Sequence, residues 1–498
     1  MICTQHELRS GPTSGAVRVR YPPSPTGAQH IGNVRTAILN WLFAKKMGGR
    51  FIVRLEDTDR DPSRYRADVI PDILSNLRYL GIEPDEDWEK GGPAGPYIQS
   101  ERLYLYQNAA RELIESGKAY RCYCTPERIA ALRAEQQQRG EPTGYDRHCR
   151  YLSDSELEKL KAQPFVVRLA VPLEGQTLYH DEVHGDISVE NSALDDQVLL
   201  KSNGWPTYHL ANVVDDHSMG ITHVIRGEDW LPSTPKHVLL YQAFGWETPK
   251  WTHAPLILGT DHKKLSKRHG DTEFAEYIRK GYLPEALMNF LALLGWSSGE
   301  DRELYSVEEL IDRFSLEGIT PHPAIFDANK LIWMNGEYIR KSSPETIIEL
   351  SIPYLRKSGL IKTEEDVELA KRVIPLVTDR MKTLDEVVSL TDFFFGDMPK
   401  YDPKAVEKWL NSSDSKTILA KILPRLKGIA EEPFTVHLIE AAVRGGIDEM
   451  GIPSPQVIHP LRVALTGRMV GPGLFETMAA MGKAKVLSRL KAIIAKEH

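Results

Sequence analysis

Residues 24–33 read Ser-Pro-Thr-Gly-Ala-Gln-His-Ile-Gly-Asn, and residues 263–269 read Lys-Lys-Leu-Ser-Lys-Arg-His. The first run sets a loop punctuated by Pro25 and Gly27 directly before His30, Ile31, Gly32 and Asn33. Apolar residues then recur at Val34, Ile38, Trp41 and Leu42, which is helical spacing. A helix start of this kind offers backbone N–H groups and the positive end of the helix dipole, both of which stabilise phosphate. His30 and Asn33 stand one helical turn apart and can face the same phosphate chain, while Gly32 lets a nucleotide approach the backbone. The bland alternative is a tight turn whose histidine caps the helix. The second run puts three lysines and Arg268 around Ser266, with Leu265 to anchor the loop; alone, such a run is more often a solvated face. Neither G-x-x-x-x-G-K-[ST] nor G-x-G-x-x-G occurs, so ordinary P-loop and dinucleotide folds lose support.

Such groups need elements to hold them. AVRVRY (16–21) alternates apolar with charged residues and predicts a strand, FIVRLE (51–56) predicts a buried strand, and Lys45, Lys46, Gly48 and Gly49 end the helix between them. The resulting βαβ unit implies a parallel sheet with its ligand site beyond the carboxyl ends of the strands. A polar, Pro/Gly-punctuated stretch at 84–98 reads as a boundary. FVVRLAV (165–171) and VLLKSNGWPTYHL (198–210) read as strands of an inserted α+β domain. Past about residue 340 the pattern turns to amphipathic helices, with starts after Ser343, Thr363 and Thr383. The last helix, carrying Lys483, Lys485, Arg489 and Lys491 around Val486, Leu487, Leu490 and Ile494, reads as an ordinary amphipathic packing helix.

A chain of 498 residues exceeds what one core organises, and 41% hydrophobic with 26% charged residues is globular composition. Net charge −7 gives no general affinity for polyanions, so any nucleic-acid surface must be a local gathering of Lys and Arg. No run of about 18 apolar residues exists, and the first fifteen residues lack a secretory pattern, so the cytosol is the expected compartment with no membrane partner. Three of the four cysteines fall at 122, 124 and 149. Cys-x-Cys does not readily close on itself whereas thiolates suit Zn²⁺, and the fourth ligand could be Tyr145, His148 or Tyr151. His209, Asp215, Asp216 and His217 admit a metallohydrolase reading, against which stand their irregular spacing and the lack of H-E-x-x-H.

Taken in order, PSPTG with HIGN after a strand, FIVRLEDTDR, WPTYHLANVVDDH (205–217), VIRGEDW, KLSKR (264–268) and PLRVALTG (460–467) resemble a bacterial-type glutamyl-tRNA synthetase of class I. HIGN and KLSKR are then versions of the HIGH and KMSKS signatures, and the resemblance runs from about residue 16 to the end. It implies an α/β, Rossmann-like class I catalytic domain with an inserted α+β domain, a stem-contact region and an all-α anticodon-binding C-terminal part. The expected layout is a tail at 1–15, a catalytic domain at 16–99 and 207–253, an acceptor-end domain at 100–206, a stem-contact domain at 254–342, and anticodon-binding domains at 343–398 and 399–498.

The implied reaction joins L-glutamate to ATP and passes the glutamyl group to tRNA(Glu); tRNA(Gln) is a further candidate acceptor. By the same resemblance ATP, with Mg²⁺, meets Pro23, Ser24, Pro25, Thr26, Gly27, His30, Gly32, Asp229, Lys264, Leu265, Ser266, Lys267 and Arg268, and His30, Gly32, Asn33, Lys264 and Lys267 carry the catalysis. Glutamate and glutamine are nearly isosteric, so charge must separate them and an arginine fork is the natural reader. Arg20 and Arg226 match the family's glutamate-pocket arginines, with Pro22, Ser24, Glu56, Tyr208, Asn212 and Trp230 around them and Glu56 suited to hold the amino group. Some relatives bind zinc through Cys-x-Cys and Cys-x-His; Tyr151 stands where that His would be, and a truncated paralogue uses a tyrosine placed as Tyr145 is. Structural Zn²⁺ on Cys122, Cys124, Tyr145 and Cys149 is the resulting expectation. Arg340, Lys341, Arg356, Lys357 and Arg372 can meet tRNA phosphates, and Arg380 aligns with an anticodon-reading arginine. A monomer is expected. The alternatives are a glutaminyl-tRNA synthetase, whose C-terminal part is a β-barrel, and a non-catalytic tRNA-binding scaffold.

Overall fold

The alternating stretch forms β1 (Arg18–Tyr21) and the apolar-striped segment forms α1 (Ile31–Lys46) in a computed structural model that describes residues 15–266, 272–430 and 434–495. α1 stops at Met47, and Gly48 follows with φ 61°, the left-handed position that favours glycine after a helix. The chain returns as β2 (Arg50–Val53), parallel to β1, so the βαβ unit is present as the pattern requires. Contact-rich segments fall into two units, Met1–Glu276 with Leu287–Asp327, and Tyr277–Ala286 with Ala328–His498.

In the first unit, the stretch 84–98 is tied into the sheet rather than left as a loose joint. Glu86 bridges to Ile52 and Ile98 to Leu55, and the buried Glu86 carboxylate takes both arms of Arg18 at 2.7 and 3.1 Å. Next come α2 (Ile70–Tyr79), α3 (Leu103–Glu115), β3 (Ala119–Cys122), α4 (Pro126–Gln138), α5 (Asp154–Leu160), β4 (Val166–Leu169), β5 (Gln176–Asp181), β6 (Gly185–Glu190) and β7 (Val198–Leu200). β3, β4 and β7 make a three-stranded antiparallel sheet.

The strand expected over 198–210 ends at Leu200. Pro206 interrupts it, and Tyr208 opens α6 (Tyr208–Ser218), because Leu210, Val213 and Val214 recur at helical rather than alternating spacing and are all buried. β8 (His223–Gly227), α7 (Thr234–Phe244) and β9 (Lys250–Ala254) complete a sheet of order β6-β5-β9-β8, in which β9 is parallel to both β5 and β8. β1 lies beside the start of β8, where the Thr222 N–H donates to the Arg18 carbonyl at 2.9 Å. β10 (Ile257–Leu258) pairs with β11 (Ala324–Ile325), and α8 (Phe274–Lys280), α9 (Pro284–Leu293) and α10 (Val307–Arg313) fall between them.

From residue 328 onward the described residues are helical, without a strand: α11 (Ala328–Lys341), α12 (Pro344–Lys357), α13 (Glu364–Val373), α14 (Glu386–Phe395), α15 (Pro403–Trp409), α16 (Ser413–Lys427), α17 (Val436–Met450), α18 (Pro455–Thr466), α19 (Leu474–Met481) and α20 (Lys483–Ala495). Ser343 caps α12, and Thr363 with Asp366 forms a capping box on α13. Thr383 does not cap α14; its hydroxyl donates to Asp385, and the helix begins at Glu386.

α20 packs as its amphipathic pattern expects, with Val486 and Leu490 buried, and one of its cations is buried with them. Arg489 is fully buried and donates to the carbonyls of Phe393 at 2.7 Å and Asp397 at 2.8 Å, and to those of Gly396 and Leu465. These carbonyls close the ends of α14 and α18, where a helix leaves acceptors without partners. Arg489→Ala strips donors from several buried acceptors at once and is expected to lower stability by about 3–5 kcal/mol, read as the urea-unfolding midpoint.

Candidate active site

A cavity of about 560 Å³ opens at the carboxyl ends of β1 and β8, lined by Arg20 and Tyr21 from the first and Arg226 and Gly227 from the second. Its wall also includes Pro22, Pro23, Ser24, Thr26, His30, Gly32, Asn33, Glu56, Tyr208, Asp229, Trp230, Lys264 and Leu265. The two distant segments nominated from their residue types therefore share one hollow. Pro25 and Gly27 of the loop, Asn212 and Ser266 stand outside the lining. Pro25 is buried, its carbonyl accepting from the Arg66 N–H, and Asn212 sits behind Glu56 with its amide 3.4 Å from the carboxylate. Lys267 and Arg268 lie outside the described residues. On either side of them, Leu265 N–H donates to the Ile257 carbonyl, and Thr272 accepts from Ile31 at the start of α1.

At the α1 end of the cavity, His30 is indeed the cap of α1: its Nδ1 accepts from the Gly32 N–H at 3.1 Å. Capping and ligand contact are compatible. Burial, and secondarily Lys264, push the imidazole's pKa down, so the ring is neutral at pH 7. With Nδ1 accepting, the proton of the neutral ring sits on Nε2, which is then a donor suited to a phosphate oxygen. Lys264 Nζ lies 2.7 Å from Asp229. A Cβ at Gly32 would meet only His30 Nδ1 at 3.5 Å and Ile257 Cδ1 at 4.0 Å, ordinary contacts. Gly32→Ala is therefore expected to fold normally and to raise the KM for ATP roughly tenfold, the cost of about 1.4 kcal/mol of lost approach; steady-state kinetics at varied ATP check it.

At the other end, Arg20 and Arg226 are both buried but differently partnered. Arg20 Nε contacts Asp216 at 3.2 Å, while its Nη1 has no hydrogen-bond partner. Arg226 meets neutral groups: His253 Nε2 at 3.0 Å, the Tyr208 hydroxyl at 3.1 Å, Thr234 Oγ1 at 2.8 Å, His237 Nδ1 at 3.4 Å and the Trp230 carbonyl at 3.4 Å. Among the described residues no carboxylate pairs with it. A guanidinium held in low dielectric without a counter-ion favours an anionic ligand, and burial already pulls its pKa down. Tyr208 packs against Trp230 with ring centroids 4.4 Å apart. Burial raises the Glu56 pKa, opposed by Arg54 at 2.9 Å.

Beneath the pocket lies an ion network that the sequence did not disclose. Arg54 joins Asp216 at 2.8 Å and Asp215 at 3.5 Å, and Asp215 also takes Arg102 at 2.7 Å, Gln99 at 2.8 Å and the Tyr106 hydroxyl. This corrects the metallohydrolase alternative: Asp215 and Asp216 are saturated by arginines, His217 stacks on Trp246 at 3.8 Å, and His209 faces His237. The only cluster of three or more metal-binding His, Cys, Asp or Glu groups among the described residues is Cys122, Cys124 and Cys149, whose sulfurs lie within 4.8 Å of one another. Tyr145 Oη is 3.2 Å from Cys122 Sγ and 3.6 Å from Cys124 Sγ. Tyr151 is 65% exposed and His148 is outside the group, so of the three candidates only Tyr145 closes the set. Hydrogen bonds from Cys149 and Tyr145 hold the Cys122 thiol well below its ordinary range.

Comparison with known proteins fits this geometry. The family model described as tRNA synthetases class I (E and Q), catalytic domain, matches residues 16–333, and an anticodon binding domain model matches 346–494. The chain thus belongs to the class I tRNA synthetases. Within them it belongs to the glutamate–tRNA ligase family. The glutamate–tRNA ligase of Dehalococcoides mccartyi is 46% identical over 96% of this chain and 98% of its own length, and that of Moorella thermoacetica 45% over 95% and 97%. A crystal structure of a glutamate tRNA ligase from Elizabethkingia meningosepticum in complex with its amino acid superposes with a TM-score of 0.87 at 36% identity, covering 96% of this chain and 99% of that one. No helix among the described residues is long and apolar enough to cross a membrane.

Proposed function

We propose that this chain activates L-glutamate with ATP to glutamyl-adenylate and pyrophosphate, then transfers glutamate to the 3′-terminal adenosine of tRNA(Glu), working in the cytosol as a monomer. The observation that carries the reading is Arg226, a buried cation with neutral partners only, across one cavity from His30 and Lys264. In the first step the α-carboxylate attacks the α-phosphate, so no protein nucleophile is needed and the residues act by in-line positioning and by stabilising spreading negative charge. His30 Nε2–H, the α1 N-terminus and Lys264 hold phosphate oxygens, joined by Lys267. Mg²⁺ arrives with the ATP phosphates and neutralises part of their charge. Arg226 and Arg20 read the side-chain carboxylate, and Glu56 takes the ammonium.

For the tRNA, segment 100–206 receives the acceptor end, 254–342 the stem, and 343–398 with 399–498 the anticodon, where the exposed Arg380 is offered as a contact. The C-terminal unit, which has no strand among its described residues, favours glutamate over the glutamine-specific sibling. Three thiols and a phenol in one shell suit a structural Zn²⁺. Elemental analysis of the purified chain is expected to give close to one zinc per chain, falling sharply in Cys149→Ser. Aminoacylation of tRNA(Glu) and tRNA(Gln) side by side, each with glutamate and with glutamine, tests the function. Charging of tRNA(Glu) with glutamate is expected, and charging with glutamine alone would refute it.

A further inference from the structure

β5, β9 and β8 lie side by side, and they carry a row of three buried polar residues, Asp181, His253 and Arg226. His253 and Arg226 are direct partners in the β8–β9 register, so their side chains leave the same face of the sheet. Arg226 Nε donates to His253 Nε2 at 3.0 Å, and His253 Nδ1 meets Asp181 Oδ2 at 2.5 Å. The other oxygen of Asp181 accepts the backbone N–H groups of Val183 and His184, each at 3.1 Å, in the turn between β5 and β6. Asp181 and His253 are wholly buried, and neither lines the cavity.

A carboxylate only accepts, so Asp181 keeps the imidazole proton on Nδ1, and Nε2 of the neutral ring becomes an acceptor aimed at Arg226. Burial keeps the ring neutral, its pKa pushed down to about 4 with Arg226 adding to the effect and Asp181 opposing it. The groups facing Arg226 from other elements are Tyr208 on α6, Thr234 and His237 on α7, the Trp230 carbonyl and, beyond His237, His209; the Thr234 hydroxyl also lies 3.1 Å from His253 Nε2. Arg20 and Asp216 act on it through space. A carboxylate seated directly on Arg226 would compete with the ligand for the guanidinium. One neutral ring between Asp181 and Arg226 fixes the fork's direction and leaves its charge uncompensated.

We propose that Asp181 and His253 are positioning residues that lock the imidazole tautomer, aim the Arg226 guanidinium at the glutamate side-chain carboxylate, and thereby set the discrimination against glutamine. This rests on the reading of Arg226 as the carboxylate's partner. In Asp181→Asn the amide oxygen stays with the two backbone N–H groups and the NH₂ faces His253 Nδ1. The ring proton then moves to Nε2, where N–H confronts the Arg226 Nε–H. In His253→Gln one amide supplies both an acceptor for Arg226 and a donor for Asp181, whereas His253→Leu supplies neither.

The test is glutamate-dependent and glutamine-dependent pyrophosphate exchange with tRNA(Glu) present, for these three variants and for Arg226→Gln. Asp181→Asn and His253→Leu are expected to raise the KM for glutamate about 10- to 100-fold, with the KM for ATP unchanged and the glutamate-over-glutamine ratio falling by a similar factor, and His253→Gln to recover most of it. Equal losses with both amino acids and an unchanged ratio would mean a structural role only and overturn the proposal, as would full discrimination in soluble Asp181→Asn. Should Asp181→Asn or His253→Leu not fold, ¹⁵N resonances of His253 in the natural chain decide: the Nδ1–H tautomer is expected, and Nε2–H or imidazolium overturns it. If Arg226→Gln itself leaves glutamate's KM untouched, the failure lies in the reading of Arg226 and not in the wiring behind it.

Discussion

Arg226→Gln is expected to raise the KM for glutamate by about 10²–10³-fold, because removing one member of a buried charged hydrogen-bonded pair costs about 3–4 kcal/mol. Glutamine in its place still reaches Thr234 or Tyr208 but carries no charge and no two-armed fork. What is lost is the term that separates a carboxylate from an amide of the same shape, so the preference for glutamate over glutamine should shrink with the affinity. Arg20 is expected to compensate poorly, because its Nε is already engaged with the Asp216 carboxylate, which offsets part of its charge. Initial rates at varied glutamate and fixed saturating ATP check the result, and an unchanged KM would remove Arg226 from the pocket.

Lys264→Ala is expected to slow adenylate formation by about 10²–10³-fold, the usual cost of deleting one donor from a site where charge develops in the transition state. Its ammonium rests on Asp229 at 2.7 Å with 65% of the side chain exposed, so it can swing to a phosphate without breaking any buried contact. Leu265 meanwhile anchors the hairpin through Ile257. The glutamate KM should stay within a fewfold of normal, which distinguishes this lysine from the arginine at the other end. Rapid-quench measurement of the first turnover separates the two; near-normal rates would place Lys264 outside the chemistry.

Much of the fold was legible because it rests on short-range patterns. The β1-α1-β2 unit follows from alternation, helical spacing and a Lys-Lys-x-Gly-Gly stop, all within forty residues. The family motifs placed the HIGN and KLSKR runs on one cavity, although Lys267 and Arg268 fall outside what the structure describes. Less legible was whatever depends on charges brought together from afar. Asp215 and Asp216 admitted a metal-binding alternative, disfavoured by spacing, but their actual partners Arg54, Arg102 and Arg20 come from 113 to 196 residues away. Nothing local marks Asp181 or His253 as supports for Arg226, since only the order of strands β5-β9-β8 sets them in a row. The amphipathic pattern of α20 predicted a packing helix but not that Arg489 is buried on it; the helix-end carbonyls of α14 and α18 that it serves are invisible to periodicity. At 198–210 one strand-like window hid a strand, a proline turn and a helix start, because a short apolar run suits either element.

The most direct measurement is a crystal structure of the chain with a non-hydrolysable sulfamoyl analogue of glutamyl-adenylate. The expected result is the analogue's side-chain carboxylate bonded to Arg226 and Arg20, its ammonium at Glu56, and its sulfamoyl group, standing for the α-phosphate, beside His30 and the start of α1. A bound analogue with that carboxylate turned away from both arginines, or seated outside this cavity, would contradict the central claim.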